Sequence, residues 1–365
     1  MLPHEVRQLL DAATAAGALG QASALATVVK VQGSAYRREG AKMLVSAGGA
    51  TTCMISGGCL EPEVAEVAKE VLARAEPRRV RYDLEEDVVW GLGLGCGGTV
   101  EIYLEPLKGL AHAWLNLQAQ GQSAVMATVL AGGSGRLLWH DGKVQGQLEP
   151  KVLQAEVLAA AKGLLKEQTP RAALHAFAVH GAQAEVFLDV SSPPSELVLF
   201  GGGHDARPLA KSAQALGFGV TVVDPRPAFA NAEHFPGATI IHSHPEGFPE
   251  QVTLKGRSYA VIMNHHLQRD RQALAFAVAS ATPYVGVLGP RSRYLKLLTA
   301  LAEEGHRPNA KDLAKVKSPI GLDIGAEGPE EVALSILAEI LAASRGFGGG
   351  FLHGATGRIH DPARP

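Results

Sequence analysis

The first half of the chain contains a pattern that returns, and nothing else in the sequence restricts the fold as much. "SALATVV" at 23–29 comes back as "SAVMATVL" at 123–130, and "QGS" as "GGS". "GGCLEPEVAEVAKEVLA" comes back as "QGQLEPKVLQAEVLAAA", and "TVEIYLEP" as "QAEVFLDV". Four matches in the same order argue for a duplicated unit, with subrepeats at about 20–106 and 112–190. The offset falls from about 100 residues to about 84, so the second copy is the shorter one. It has no cysteine, no "SGGC" and no "GLGLGCGG". Those two segments are therefore not needed to build the unit, and the chemistry is expected in the first copy.

Each copy mixes strand and helix signals. "SALATVVKV" and "AKMLV" are rich in branched residues and flank the loop "QGSAYRREG", which predicts a strand pair. "LEPEVAEVAKEVLARA" places Val64, Val67, Ala68, Val71 and Leu72 at helical spacing, with Pro62 suited to a first turn. "TVEIYLEP" alternates Val100, Ile102 and Leu104 with Glu101, Tyr103 and Glu105, as a half-buried strand would. The opening "MLPHEVRQLLDAATAAGALG" reads as an amphipathic helix rather than a signal peptide.

After the linker "VSSPPSE" at 190–196 the pattern changes. "LVLFGGGHDARPLAKSAQALGFGVTVVD" runs from an apolar strand through a glycine turn into a helix with Leu209, Ala213 and Leu216 inward, then into a second strand. "ATIIHS", "SYAVIMN" and "PYVGVLG" continue the alternation, which predicts a parallel sheet covered on both faces. Gly201, Gly203 and Ala206 fit the G-x-G-x-x-A turn that lets a dinucleotide's phosphates approach a helix start. Asp224 ends the next strand, where a carboxylate accepts from ribose hydroxyls. The fold class is thus an N-terminal α/β domain (1–190) with a degenerate internal duplication, then a C-terminal Rossmann-like parallel-sheet domain (196–345). The last residues, 346–365, read as a flexible tail.

Ligands of open parallel sheets sit beyond the carboxyl ends of the strands. The loops there carry His204, Asp224, His242 and His244, then His265, His266 and Asp270, then Arg291 and Arg293, a polar rim suited to an anionic ligand. A metal set of His265, His266 and Asp270 is the weaker reading, because adjacent histidines rarely point the same way.

Of the three cysteines, Cys59 lies in "ISGGCLEP" just before a helix, whose positive end favours an anion, a thiolate included. Gly57 and Gly58 bare the backbone beside it. Cys96 stands in "GLGCGG", where Gly95, Gly97 and Gly98 expose amides and admit a bulky ligand. Cys53, in "TTCMI", reads as core packing. Three cysteines in a long chain give no disulfide framework, and a cytoplasmic setting is expected. With 34 Lys plus Arg against 36 Asp plus Glu, no basic excess recruits nucleic acid. No apolar run is long enough to span a membrane.

Together, "GSAYRREGAKMLV", "ISGGCLEPEV", "GLGCGGTVEIYLEP", "LFGGGHDARPLA", "VIMNHHLQRD", "GVLGPRSR" and "SPIGLDIGAEGPEEVALSILAEI" resemble the XdhC/CoxI family of molybdenum hydroxylase accessory factors. The resemblance runs from about residue 20 to 343; Tyr36 stands where that family commonly has proline, and His266 where it often has an acid. It implies a chaperone that binds molybdenum cofactor, as molybdopterin or its dinucleotide form, supports its sulfuration and delivers it to a hydroxylase apo-enzyme. A sulfur donor of the cysteine desulfurase type and a homodimer are expected with it. On this reading Cys59 and Cys96 are the reactive thiols. Gly57, Gly58, Gly95, Gly97, Gly98, Arg37 and Arg38 face the pterin or its phosphate, and Gly201, Gly203, His204, Asp224, His265 and Arg291 face a nucleotide end. NAD(P) or another nucleotide at the glycine turn stays open. Two other functions do too: a nicotinamide-dependent oxidoreductase with His265 or His266 as proton donor, and a nucleotide-sensing regulator.

Overall fold

The computed structural model describes residues 1–33, 35–84, 98–167, 169–179 and 181–354. It divides into two compact units, Met1–Pro193 and Pro194–Ala355.

The first unit runs α1 (Pro3–Ala18), β1 (Ser23–Gly33), β2 (Lys42–Ser46), β3 (Thr51–Thr52), α2 (Glu61–Arg74), β4 (Arg78–Asp83), β5 (Gly98–Pro106) and α3 (Leu110–Ala119). It continues with β6 (Ala124–Ala131), β7 (Ser134–His140), β8 (Lys143–Glu149), α4 (Lys151–Leu164), β9 (Ala173–Val179) and β10 (Ala182–Ser191). Two antiparallel sheets result, ordered β3-β2-β1-β5-β4 and β8-β7-β6-β10-β9. The second repeats the first strand for strand.

Register makes the equivalence residue-specific. Leu25 faces Glu105 in the first sheet as Met126 faces Asp189 in the second. Thr27 faces Lys42 as Thr128 faces Arg136. One face of each sheet is sealed by the helix that follows its third strand. On α2, Val64, Ala68 and Val71 pack against Val28, Ile102 and Leu104. On α4, Leu153, Val157 and Ala161 pack against Val125 and Leu188. Each large side chain removed from water in this way contributes about 1.5–3 kcal/mol. On the opposite faces, α1 and α3 cover Leu25 and Leu44, and Trp114 of α3 packs on Met126 and Leu138.

The copies differ at one end of the sheet. The β1–β2 connection spans residues 34–41, whereas its counterpart between β6 and β7 is only 132–133. Residues 53–60 separate β3 from α2, but Pro150 alone separates β8 from α4. Residues 84–97 lie between β4 and β5, against 180–181 between β9 and β10. In an antiparallel order these three connections all leave the same end of the sheet. The shorter offset in the sequence has its cause here.

The second unit contains β11 (Glu196–Phe200), α5 (Ala206–Ala215), β12 (Gly219–Val223), β13 (Thr239–Ile241), α6 (Phe248–Gln251), β14 (Ser258–Ile262) and α7 (Leu267–Ala279). It ends with β15 (Tyr284–Val287), α8 (Arg291–Glu303), α9 (Ala310–Ala314), β16 (Val316–Lys317) and α10 (Pro329–Arg345). Its six strands are ordered β13-β12-β11-β14-β15-β16 and pair in parallel throughout. This is the doubly wound order, with its switch point between β11 and β14. Leu209 and Ala213 are buried as their spacing implies, but Leu216 is not. The helix stops at Ala215, so Leu216 caps it and turns outward, while Ala206 and Ala210 complete the inner face.

Candidate functional site

In the first unit, the turn before α2 is built by its own side chains. Glu61 folds back from the first helical position, and its carboxylate accepts from the amides of Ile55 (3.1 Å) and Ser56 (2.8 Å) and from the Ser56 hydroxyl. Ser56 Oγ in turn accepts from the amides of Gly58 and Leu60. Burial pushes the Glu61 carboxyl up, but these hydrogen bonds outweigh it and hold the group below its ordinary range. Ile55 and Leu60 anchor the turn in the core. Gly57 and Gly58 are left exposed, Gly58 with φ +109°, and Cys59 is half-buried with a free thiol. Among the described residues, the amides of Gly57 and Cys59 have no acceptor.

The β1–β2 loop comes up beside this turn. A Cβ on Gly57 would stand 3.9 Å from the ring of Tyr36, itself 72% exposed. Met54 is exposed nearby in sequence. Arg37 and Arg38 do not stand free: Arg37 pairs with Glu5 of α1 at 2.8 Å and Arg38 with Glu39 at 3.3 Å. Gly98 lies opposite Gly33, so the strand that follows the "GLGCGG" segment begins at the foot of the same loop. Cys96, Gly95 and Gly97 lie outside the described residues. Cys53 takes φ +61°, packs among the residues of α1, and points its thiol at the Glu5 carbonyl (3.5 Å); burial pushes that thiol up.

In the second unit, Gly201 has φ +123° and lies so close to β14 that a Cβ would meet the Met263 carbonyl at 2.5 Å. Only glycine fits that crossing. Asp205 starts α5 and binds His265 Nε2 at 2.7 Å across the switch point. His265 holds φ +57°, a costly conformation for a residue with a side chain, and remains 64% exposed. His204 and Arg291 are exposed on the same rim.

Asp224 is fully buried, and the expected ribose contact finds its carboxylate occupied. Oδ1 accepts from the amide and Nε of Arg226, both at 2.9 Å. Oδ2 accepts from the amide of Gly202 (2.9 Å) and from Arg226 Nη2 (2.7 Å). Burial favours the neutral acid, yet these bonds together keep the carboxyl below its usual range. The weaker metal reading does not assemble. His265 turns to Asp205, His266 caps α7, and Asp270 accepts from Asn264 and from Arg293 at 2.5 Å. Among the described residues no group of three or more His, Cys, Asp or Glu could hold a metal ion. Sequence reasoning missed Glu61, Asp205 and Arg226 as builders of these sites. For Arg226 a signal was present, in the "DPR" that closes β12.

Residues 17–83, which contain the Tyr36 loop and the Cys59 turn, match the XdhC and CoxI family, and residues 197–340 match the XdhC Rossmann domain. A Bacillus subtilis protein described as a probable xanthine dehydrogenase subunit is 32% identical over 324 residues, 87% of this chain and 92% of its own length. The chain belongs to the XdhC and CoxI family. The molybdenum cofactor insertion chaperone PaoD of Escherichia coli is 26% identical over 339 residues, covering 93% of this chain and 89% of PaoD. A crystal structure described as a xanthine dehydrogenase from Bacillus halodurans superposes with a TM-score of 0.74 at 29% identity, over 92% of this chain and 95% of that one. Among the described residues, no helix is long and apolar enough to cross a membrane.

Proposed function

We propose that the chain binds molybdenum cofactor, supports its sulfuration and delivers it to a xanthine dehydrogenase-type hydroxylase. One observation carries this reading. The same sheet is built twice, and only the first copy grows long connections at one end, with Cys59 bared there on two exposed glycines. The donor set fits such a ligand. A thiol is a soft ligand for molybdenum or sulfur, the amides of Gly57 and Cys59 suit anionic oxygen, and the Tyr36 ring offers a face to a flat heterocycle. When bound, the cofactor supplies a molybdenum centre carried by a pterin dithiolene. The protein's part is to hold Cys59 still through Ser56 and Glu61, and to leave room above Gly57 and Gly58. Cys96, Gly95 and Gly97 join this site in the proposal. Arg37 and Arg38 take a phosphate only in competition with Glu5 and Glu39.

The names of PaoD and of the two xanthine dehydrogenase relatives support a hydroxylase as recipient. A cysteine desulfurase-type sulfur donor, a cytoplasmic setting and a homodimer complete the proposal. The Rossmann rim takes a nucleotide, either NAD(P) or the nucleotide end of the cofactor. A second reading, a nicotinamide-dependent oxidoreductase, draws on the Asp205–His265 pair as a proton-transfer couple. Anaerobic purification from a host that makes the cofactor separates the two. Molybdenum and pterin retained by the wild type, and lost from a folded Cys59→Ala variant, is the expected result. Neither retained, with NAD(P) bound and hydride transferred, refutes the chaperone reading.

A further inference from the structure

The carboxylate that usually reads a ribose is spent here on an arginine, and this changes what the rim can recognise. We propose that the end of β12 selects a nucleotide whose ribose carries a phosphate monoester, with Arg226 as the group that reads it. The inference rests on the nucleotide reading of the rim given above.

A carboxylate offers about four acceptor positions. On Asp224 all four are filled, three by Arg226 and one by the Gly202 amide of the glycine turn. A free ribose diol would have to displace a bidentate ion pair whose carboxylate is 0% exposed. Leaving a buried carboxylate short of partners costs more than a neutral hydroxyl returns. Arg226 is in the opposite position. Of its five N–H donors, one on Nε and one on Nη2 go to Asp224, which among the described residues leaves three; its side chain is 38% exposed. The guanidinium lies 4.0 Å above the Phe229 ring, so it is held flat before any ligand arrives. His204, from the glycine turn, stands edge-on to the same ring at 6.4 Å. In this strand order the end of the second strand is where the ribose of a bound dinucleotide lies. A planar fork of donors at that place suits a phosphate oxygen pair, which accepts charge-assisted bonds that a diol cannot match.

Asp205 points the same way. It puts a carboxylate at the start of α5, bound to His265 and not to the helix amides, and its negative charge opposes a pyrophosphate there. With that seat weakened, the phosphate at Arg226 has more of the binding to supply.

The test is calorimetric titration of the full chain with NADP+, NAD+, 2′-AMP, 5′-AMP and inorganic phosphate. NADP+ and 2′-AMP should bind about tenfold or more tighter than NAD+ and 5′-AMP, the scale of one or two charge-assisted hydrogen bonds. Arg226→Gln, which keeps neutral donors beside Asp224, should remove the preference, and Arg226→Lys should retain part of it. Arg226→Ala, which frees Asp224 to accept from a diol, should invert it; circular dichroism shows whether each variant is folded. Equal or tighter binding of NAD+ by the wild type overturns the selection, as does an unchanged ratio in folded Arg226→Gln. Inorganic phosphate binding as tightly as 2′-AMP also overturns it, by showing a bare anion site. Binding of neither dinucleotide overturns the nucleotide reading itself, and this inference with it.

Discussion

Lys42 of β2 reaches Asp189 of β10 at 2.5 Å, and in doing so joins the two copies of the duplicated unit. The register gives this contact a mirror. Arg136 stands in the second sheet where Lys42 stands in the first, and Glu105 where Asp189 stands; Arg136 pairs with Glu105. The copies therefore clasp reciprocally, base to acid and acid to base, as two protomers do about a two-fold axis. Trp114 Nε1 donates to the same Asp189 carboxylate at 2.8 Å, tying the intervening helix α3 into the contact.

The two clasps should not weigh equally. Lys42 has a side chain 1% exposed, whereas Arg136 is 22% exposed. Lys42→Met strands a buried carboxylate and should cost about 3–5 kcal/mol, the range for breaking a buried ion pair. Arg136→Met strands the buried Glu105 as well, but should cost less, because burial already pushes that carboxyl up toward its neutral form. Lys42→Met combined with Asp189→Asn, which removes the stranded charge but keeps an acceptor for Trp114, should recover part of the loss. Urea unfolding followed by circular dichroism and tryptophan fluorescence measures all three.

That clasp also marks how far the sequence could be read. The alternation in "TVEIYLEP" placed Val100, Ile102 and Leu104 correctly in the core, but implied an open face for Glu101, Tyr103 and Glu105. In fact Glu101 and Glu105 are buried, because that face turns toward the other copy: Arg79 bridges Glu101 and Glu185, and Arg136 meets Glu105. Periodicity reports which residues share a face, not what covers it. Duplication was visible as ordered matches, while the pairing between copies depends on register, which a single strand does not encode. Glycine turns were legible for a different reason. Gly58 and Gly201 adopt positive φ, and that demand shows in the residue type. The partner of Arg37, Glu5 on the first helix, left no such mark, since charged side chains far apart in the chain find their counterions only after it has folded.

Gly201→Ala tests the crossing under the glycine turn. The new Cβ would meet backbone atoms of Met263 and Asn264, at 2.5 Å from the nearest, and no rotamer can relieve it. The φ of +123° adds strain for any side chain. A loss of about 2 kcal/mol or more is expected. Gly219→Ala, with open space around its Cβ, is the control and should change stability little. Thermal unfolding of both variants gives the comparison.

Glu61 should make the Cys59 turn sensitive to acid. Its folded-state pKa lies below the ordinary value of 4.5, so its stabilisation is present above that value and is lost as pH falls through the lower, folded one. Glu61→Ala removes the acceptor for two amides and the Ser56 hydroxyl. It should cost about 1.5–3 kcal/mol at neutral pH and flatten the acid limb of the stability profile. The Cys59 thiol should react faster with a disulfide reagent in that variant, as the turn loosens. Unchanged reactivity would mean that Ser56 alone holds the turn.

At the alkaline end the same unit carries two tyrosines that resist ionisation. Burial, followed by neighbouring carboxylates, pushes Tyr82 and Tyr103 up from 10.0 to about 12. The unfolded chain ionises these phenols near 10 while the native protein keeps its protons, so stability is whole below 10 and falls as pH climbs toward 12. Among the described residues the buried Tyr82 hydroxyl has no hydrogen-bond partner. Tyr82→Phe should therefore be neutral or slightly stabilising at neutral pH, because it removes an unsatisfied polar group. It should also reduce the alkaline loss. Phenolate absorbance tracked alongside circular dichroism decides the matter: in the wild type, part of the phenolate signal should appear only as the fold is lost, and that part should shrink in the variant.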